Sequence, residues 1–147
     1  MARPTVKDAE LLLQLYTLRN DPLYRKASLW YINQFEAHSW EDKLRKYPAE
    51  SEEEYYIQLT GNYWEMAATF VNQGLINEEL FYQATTPNFP LIWTKMASWI
   101  SQERVSHGNP KLYSQLEALY IRHQKWLEKS RPKTHSKPAA AKTSKKR

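Results

Sequence analysis

The stretch from Glu53 to Ile76 constrains the fold more than any other part of the chain. Placed on a helix at about 100° per residue, its apolar side chains form two adjacent stripes, and its polar side chains fall in one narrow arc. A helix that is apolar around most of its circumference must be covered by other elements. The pattern therefore predicts the central helix of a core, over residues 50–73. Gly74 is expected to end it in a left-handed conformation.

Helical periodicity continues on both sides of this stretch, and strand signals are nearly absent. The chain has three Gly, which are too few for the turns of an all-β fold. Thr5 is placed to cap a first helix, and Asp21 followed by Pro22 is typical of the start of a second. The residues that share one face of the first helix are Leu11, Leu12, Tyr16 and Arg19, flanked by Leu15 and Leu18.

The length and composition favour a single domain with its own core. The chain has 147 residues, 41% of them hydrophobic, and it contains no Cys, which excludes disulfides, thiolate zinc sites and a cysteine nucleophile. The absence of Cys and of signal-peptide or membrane-spanning runs favours the cytoplasm. We expect an all-α domain over residues 1–130, built as a bundle of five or six helices, followed by a disordered basic tail over residues 131–147.

The positive charge of the chain lies in that tail. Residues 131–147 carry seven Lys or Arg and no acid, whereas residues 1–130 hold 14 basic and 16 acidic residues. A flexible cationic segment binds polyanions in a salt-dependent way, so RNA, DNA or an anionic membrane surface are possible partners. A solubilising extension without a specific partner is the alternative. The candidate polyanion-binding residues are Arg131, Lys133, Lys137, Lys142, Lys145, Lys146 and Arg147.

The polar arc of the central helix is the candidate functional feature of the domain, with Asn62, Glu65 and Thr69 at its centre. A buried Glu65 with a raised pKa would suit acid–base chemistry. Glu65 can equally pair with Arg104 or another cation and fix the register of the bundle, or the arc can simply face water. We call this arc the polar strip, and it consists of Gln58, Asn62, Glu65, Thr69 and Asn72.

No motif for a metal, a cofactor or a nucleotide is present. The sequence has no H-E-x-x-H pattern and no Gly-rich phosphate loop, so neither a metal nor a cofactor is expected. The aromatic residues follow helical core spacing, which favours packing over base stacking. Trp40 and Trp126 are the two aromatic residues for which we expect exposure. The histidines, all expected to be structural or exposed to solvent, are His38, His107, His123 and His135.

The order of several motifs resembles a bacterial family catalogued only as a domain of unknown function. The motifs are the run Asn62-Tyr63-Trp64-Glu65, the turn Asn72-Gln73-Gly74-Leu75-Ile76-Asn77, a Trp-bearing helix after a proline loop, and Asn109-Pro110-Lys111-Leu112-Tyr113. The resemblance covers about residues 50–125 and leaves out the basic tail. It implies a small all-helical domain, and it supplies no activity, cofactor or catalytic residue.

These observations lead to one expected function and two alternatives. We expect a non-catalytic helical interaction module that binds another macromolecule, with a protein as the partner and no transmembrane segment. One alternative is a nucleic-acid-associated protein that binds through its basic tail. The other is an enzyme that uses Glu65 in a helical cleft.

Overall fold

A computed structural model describes residues 2–85 and 88–133. Those residues form eight α-helices and no strand, which confirms the all-α class, whereas the predicted number of five or six helices is wrong. None of the described helices is long and apolar enough to cross a membrane. The helices are α1 (Val6–Leu18), α2 (Pro22–Asn33), α3 (Trp40–Lys46), α4 (Glu52–Asn72), α5 (Glu78–Thr85), α6 (Asn88–Met96), α7 (Ile100–Ser106) and α8 (Ser114–Ser130).

The count exceeds the prediction because two helical regions are divided. Ser39 begins α3 as an N-cap whose side chain accepts a hydrogen bond from the N–H of Asp42, at 3.0 Å. Farther along, the predicted Trp-bearing helix after the proline loop breaks between α6 and α7, where the N–H of Trp99 bonds to the carbonyl of Met96. Trp99 and the first residue of α7, Ile100, are both buried in the core at this turn.

Helix α4 lies at the centre, as the sequence predicts. It packs against α2 on one side and against α8 on another, with further contacts to α5 and α6. Gly61 admits side chains from two neighbours, since a Cβ there would lie 2.7 Å from Met96 Cε and 3.0 Å from the Tyr113 ring. Gly74 ends the helix with φ of 75°. The buried residues of α4 are Tyr56, Ile57, Thr60, Gly61, Trp64, Ala67, Ala68 and Val71.

Most of the aromatic residues belong to one packed core. The rings of Tyr82 and Phe89 stack with centroids 6.2 Å apart, and the Tyr31 ring stacks on Phe35 at 4.8 Å. The expected exposure of Trp40 and Trp126 is wrong, because both are partly buried against this core. Tyr16 and Tyr55 are the aromatic residues that the described part of the chain exposes most.

Candidate functional site

The polar strip of α4 faces α8, and Glu65 is its centre. Glu65 Oε1 accepts the N–H of Gln115 at 3.1 Å, and Oε2 accepts the N–H of Leu116 at 2.8 Å. These N–H groups lie in the first turn of α8, where they have no acceptor within their own helix. The residue that begins α8, Tyr113, has φ of 55° and supplies no side-chain cap. Glu65 therefore caps α8 from a neighbouring helix.

The pKa of Glu65 reflects two opposing influences. Burial raises the pKa above its ordinary value, and it outweighs the two backbone N–H groups and the charge of Arg104, which all lower it. Arg104 does not form the direct ion pair that the sequence suggested. Its Nη2 lies 2.7 Å from Glu117 Oε2, and its Nε donates to the carbonyl of Leu112. Arg104 therefore acts on Glu65 from a distance.

The rest of the polar strip is also engaged in contacts. Asn62 Oδ1 accepts the hydroxyl of Tyr113 at 2.9 Å, and the hydroxyl of Thr69 donates to the carbonyl of Glu65 in the preceding turn. Asn72 donates to the carbonyl of Gln115 at 3.0 Å and to its side-chain oxygen at 2.8 Å. Asn72 also accepts a hydrogen bond from Arg122. Glu65 and Asn72 thus form a polar seam between α4 and α8, with Asn62 on its exposed side.

A second polar cluster, which sequence reasoning missed, centres on Lys43 of α3. The residue is 1% exposed. Its Nζ lies 2.9 Å from Glu54 Oε2, 3.3 Å from Glu103 Oε1 and 4.5 Å from the ring centroid of Trp99. In the sequence, Lys43 cannot be distinguished from a solvated Lys, because it lies in a short, charged helix and both of its acidic partners come from distant helices. The cluster ties α3 to α4 and α7.

An open cleft of about 360 Å³ lies between this cluster and the polar strip. His107 reaches into its rim, 62% exposed, with Nε2 3.8 Å from Glu103 Oε1. Burial raises the pKa of Tyr113 well above its ordinary value, and the charges of Glu103, Glu54 and Glu65 raise it further, so its hydroxyl stays protonated as a donor. The residues that line the cleft are Gln58, Asn62, Glu103, His107, Asn109, Leu112 and Tyr113.

The other histidines differ in their surroundings. His38 is exposed and lies 3.2 Å from Glu36. His123 is 1% exposed, lies between the rings of Tyr82 and Phe89, and has an Nε2 without a hydrogen-bond partner. Burial lowers its pKa, which keeps it neutral. His135 lies outside the described residues. Across residues 2–85 and 88–133, no group of three or more metal-ligating side chains comes together.

The basic tail is described only at its beginning. Arg131 and Lys133 are exposed beyond the end of α8. The predicted disorder and polyanion binding of the tail stay predictions. The candidate tail residues that lie outside the described part of the chain are Lys137, Lys142, Lys145, Lys146 and Arg147.

The outer face of α1 carries a row of exposed apolar side chains. Leu15 is the buried residue of this helix, whereas Tyr16, expected on the packing face, is 59% exposed. Val6 is 77% exposed and Leu13 is 66% exposed, and Ala9 is exposed between them. The spacing of three, four and three residues matches the a and d positions of a heptad. We call the set Val6, Ala9, Leu13 and Tyr16 the α1 apolar strip.

A small cleft of about 160 Å³ borders the α1 apolar strip. Arg19 lies at its edge, half-buried, with its guanidinium carbon 5.3 Å from the Trp64 ring centroid and 5.9 Å from that of Tyr16. No carboxylate of the described residues lies within ion-pair distance of Arg19. The residues that line the cleft are Leu12, Leu13, Leu15, Tyr16, Arg19, Tyr63, Ala84 and Thr85.

Comparison with known proteins identifies a family and no individual relative. No curated protein matches the chain, and no solved structure matches it either. The resemblance carried by the motifs between residues 50 and 125 is confirmed, and the match also takes in the first three helices, which those motifs did not cover. The chain belongs to the family described as a domain of unknown function (DUF4760), which matches residues 4–126.

Proposed function

We propose that this chain is a non-catalytic helical interaction module that binds a helix of another protein through the α1 apolar strip. The observation that carries the proposal is the spacing of the four exposed apolar residues on one face of α1. Apolar residues at a and d positions are the pattern by which helices pair with one another. The strip has no covering element among the described residues, so its heptad face is available to a partner.

Isolated apolar residues on a surface need no partner, and several occur elsewhere on this molecule. Leu29 on α2 and Val105 on α7, for example, are exposed by 56% and 80%. The α1 apolar strip differs from these because its members share one helical face and border a cleft. That arrangement gives a partner helix both a seam and a pocket for a side chain, as in helix-in-groove recognition.

The non-catalytic part of the proposal draws support from the polar strip. Both carboxylate oxygens of Glu65 accept backbone N–H groups of α8, and Asn62 accepts the hydroxyl of Tyr113. A general base needs a free lone pair within reach of a substrate proton. A Glu65 that caps α8 is better suited to holding two helices together than to exchanging protons with a substrate.

Site-specific photocrosslinking tests the proposal. A photoreactive amino acid replaces Leu13 in the full chain, and a matched control carries it at Leu29, which is similarly exposed on α2. The partner captured from Leu13 is identified, purified and titrated against the Leu13→Glu and Leu29→Glu variants. We expect the Leu13→Glu variant to lose at least about tenfold in affinity, because it places a charge in an apolar seam, while Leu29→Glu binds as the parent does.

Two outcomes would count against the proposal. One is a partner that crosslinks equally from Leu13 and Leu29, or that binds the Leu13→Glu variant with unchanged affinity. The other concerns the tail, in a variant whose seven cations from Arg131 to Arg147 are replaced by Gln. If that variant loses the partner while Leu13→Glu retains it, the tail carries the binding and the α1 apolar strip does not.

A further inference from the structure

We infer that the partner of the α1 apolar strip is an acidic amphipathic helix, one carboxylate of which pairs with Arg19. This inference rests on the proposed function and adds the chemistry of the partner. The fold places the Arg19 guanidinium against two aromatic rings, beside the heptad face of α1, and no described residue pairs it with an anion.

The guanidinium of Arg19 lies against two aromatic rings at the edge of the small cleft. Its guanidinium lies against the Trp64 ring at 5.3 Å and the Tyr16 ring at 5.9 Å, and Trp64 itself is 2% exposed. Arg stacks on aromatic faces while its N–H donors stay free at the edges of the guanidinium plane. Since no carboxylate of the described residues is within ion-pair distance, those donors are open to a carboxylate from another molecule.

Arg19, the C-cap residue of α1, lies at a heptad position that influences which partner a helix binds. With a positions at Val6 and Leu13 and d positions at Ala9 and Tyr16, Arg19 occupies a g position beside the seam. Charges at e and g positions set partner choice and orientation in paired helices, and the acid at the e position, Glu10, is already paired with Lys7 at 3.5 Å. The preceding g position is Leu12, which lines the cleft. A partner helix bound to the α1 apolar strip would therefore cover the small cleft and lie next to the guanidinium of Arg19.

A second copy of the chain fits this face less well than an acidic helix does. An antiparallel pair that sets Val6 against Tyr16 places Arg19 level with Arg3 of the other copy, which precedes α1 and carries no carboxylate. In a parallel pair, Arg19 at g would face the next e position, and that residue, Tyr24, lies beyond the end of α1. Neither orientation offers Arg19 a carboxylate, whereas an acidic helix would supply one for a charge-assisted, bidentate pair.

Two designed helical peptides test the inference against the full chain. Both have about three heptads with Leu at every a and d position, and they differ only at e and g, which are Glu in one peptide and Lys in the other. Fluorescence anisotropy measures their affinities. We expect the acidic peptide to bind at least about tenfold more tightly. Arg19→Glu should reverse this preference, and Arg25→Glu, an exposed control on α2, should leave it unchanged.

Each outcome separates the inference from the proposed function. If both peptides bind equally and Leu13→Glu abolishes both, the strip binds helices and the inference about charge is overturned. If neither peptide binds, the inference is overturned, and the proposed function is then decided by crosslinking from Leu13. If the acidic preference persists in Arg19→Glu, another cation selects the partner and Arg19 does not.

Discussion

Glu65 and Asn72 of the polar strip lie between α4 and α8, whereas the α1 apolar strip lies on the surface. Polar side chains such as Glu65 and Asn72 are partly buried because α8 presents hydrogen-bonding groups that match them. Apolar side chains such as Leu13 and Tyr16 are exposed because no described element covers them. Burial is therefore decided here by the partner that a side chain meets in space, and the polarity of the side chain alone does not decide it.

Lys43 is also a buried polar residue with matched partners, and removing its charge should produce the largest decrease in the free energy of unfolding. Lys43→Met keeps the alkyl stem but leaves Glu54 and Glu103 without the cation between them. A buried ion pair broken by loss of one partner costs about 3–5 kcal/mol. We expect a decrease of that size in the free energy of unfolding, measured by urea denaturation. In the control Lys26→Ala, which breaks an exposed ion pair with Glu52 at 3.3 Å, we expect little change.

A Lys43→Met protein as stable as the parent would contradict this prediction. Enclosure of polar groups would then not depend on matched partners in this fold. A loss of stability that is equally large in Lys26→Ala would point to a general effect of charge and not to the buried cluster.

Removal of the cap of α8 should have a smaller effect. Glu65→Ala leaves the N–H groups of Gln115 and Leu116 without an acceptor, which costs about 1–3 kcal/mol. Hydrogen exchange of these two amides should become faster, while amides in the middle of α8 change less. The control Gln58→Ala, on the exposed end of the same strip, should leave both amides as they are. Unchanged exchange at Gln115 and Leu116 would show that Glu65 is not their cap.

The pKa of Glu65 gives this prediction a direction with pH. Burial raises the folded-state pKa of Glu65 above the ordinary 4.5. At pH values between the unfolded and the folded pKa, the folded chain therefore binds more protons than the unfolded chain. The pH-dependent part of the stability contributed by Glu65 is therefore fully present below 4.5 and is lost as pH rises through the folded pKa. The difference in unfolding free energy between the parent and Glu65→Ala should widen as pH falls. A difference that narrows would mean that the backbone N–H groups outweigh burial.

Part of this arrangement is predictable from sequence. The central position of α4 follows from its wide apolar arc, and its end follows from Gly74. The partners of Glu65 cannot be predicted from sequence, because they are backbone N–H groups about fifty residues away and side-chain periodicity does not report on them. Lys43 is missed for a similar reason. The break at Trp99 is missed because Trp99 and Ile100 continue the apolar face that begins before them in α6.

Helix α1 shows where periodicity alone is ambiguous. Leu is so frequent between Leu11 and Leu18 that several faces are apolar, and the sequence cannot indicate which of them meets α4. The hydroxyl of Tyr63 donates to the carbonyl of Leu15, which fixes the helix with Leu15 inward and Tyr16 outward. The expected packing face is thus displaced around the helix, and the exposed strip is found only in three dimensions.

The smallest effect on the free energy of unfolding is expected for a substitution in the exposed α1 apolar strip. Leu13→Glu should change the free energy of unfolding by no more than about 0.5 kcal/mol, because Leu13 is 66% exposed and Glu is a good helix former. Leu15→Ala, two residues away on the buried face, should cost about 2–5 kcal/mol in the same urea titration. If Leu13→Glu were as costly as Leu15→Ala, the α1 apolar strip would be part of the core. A small cost combined with lost partner binding is the result that separates a recognition surface from a structural one.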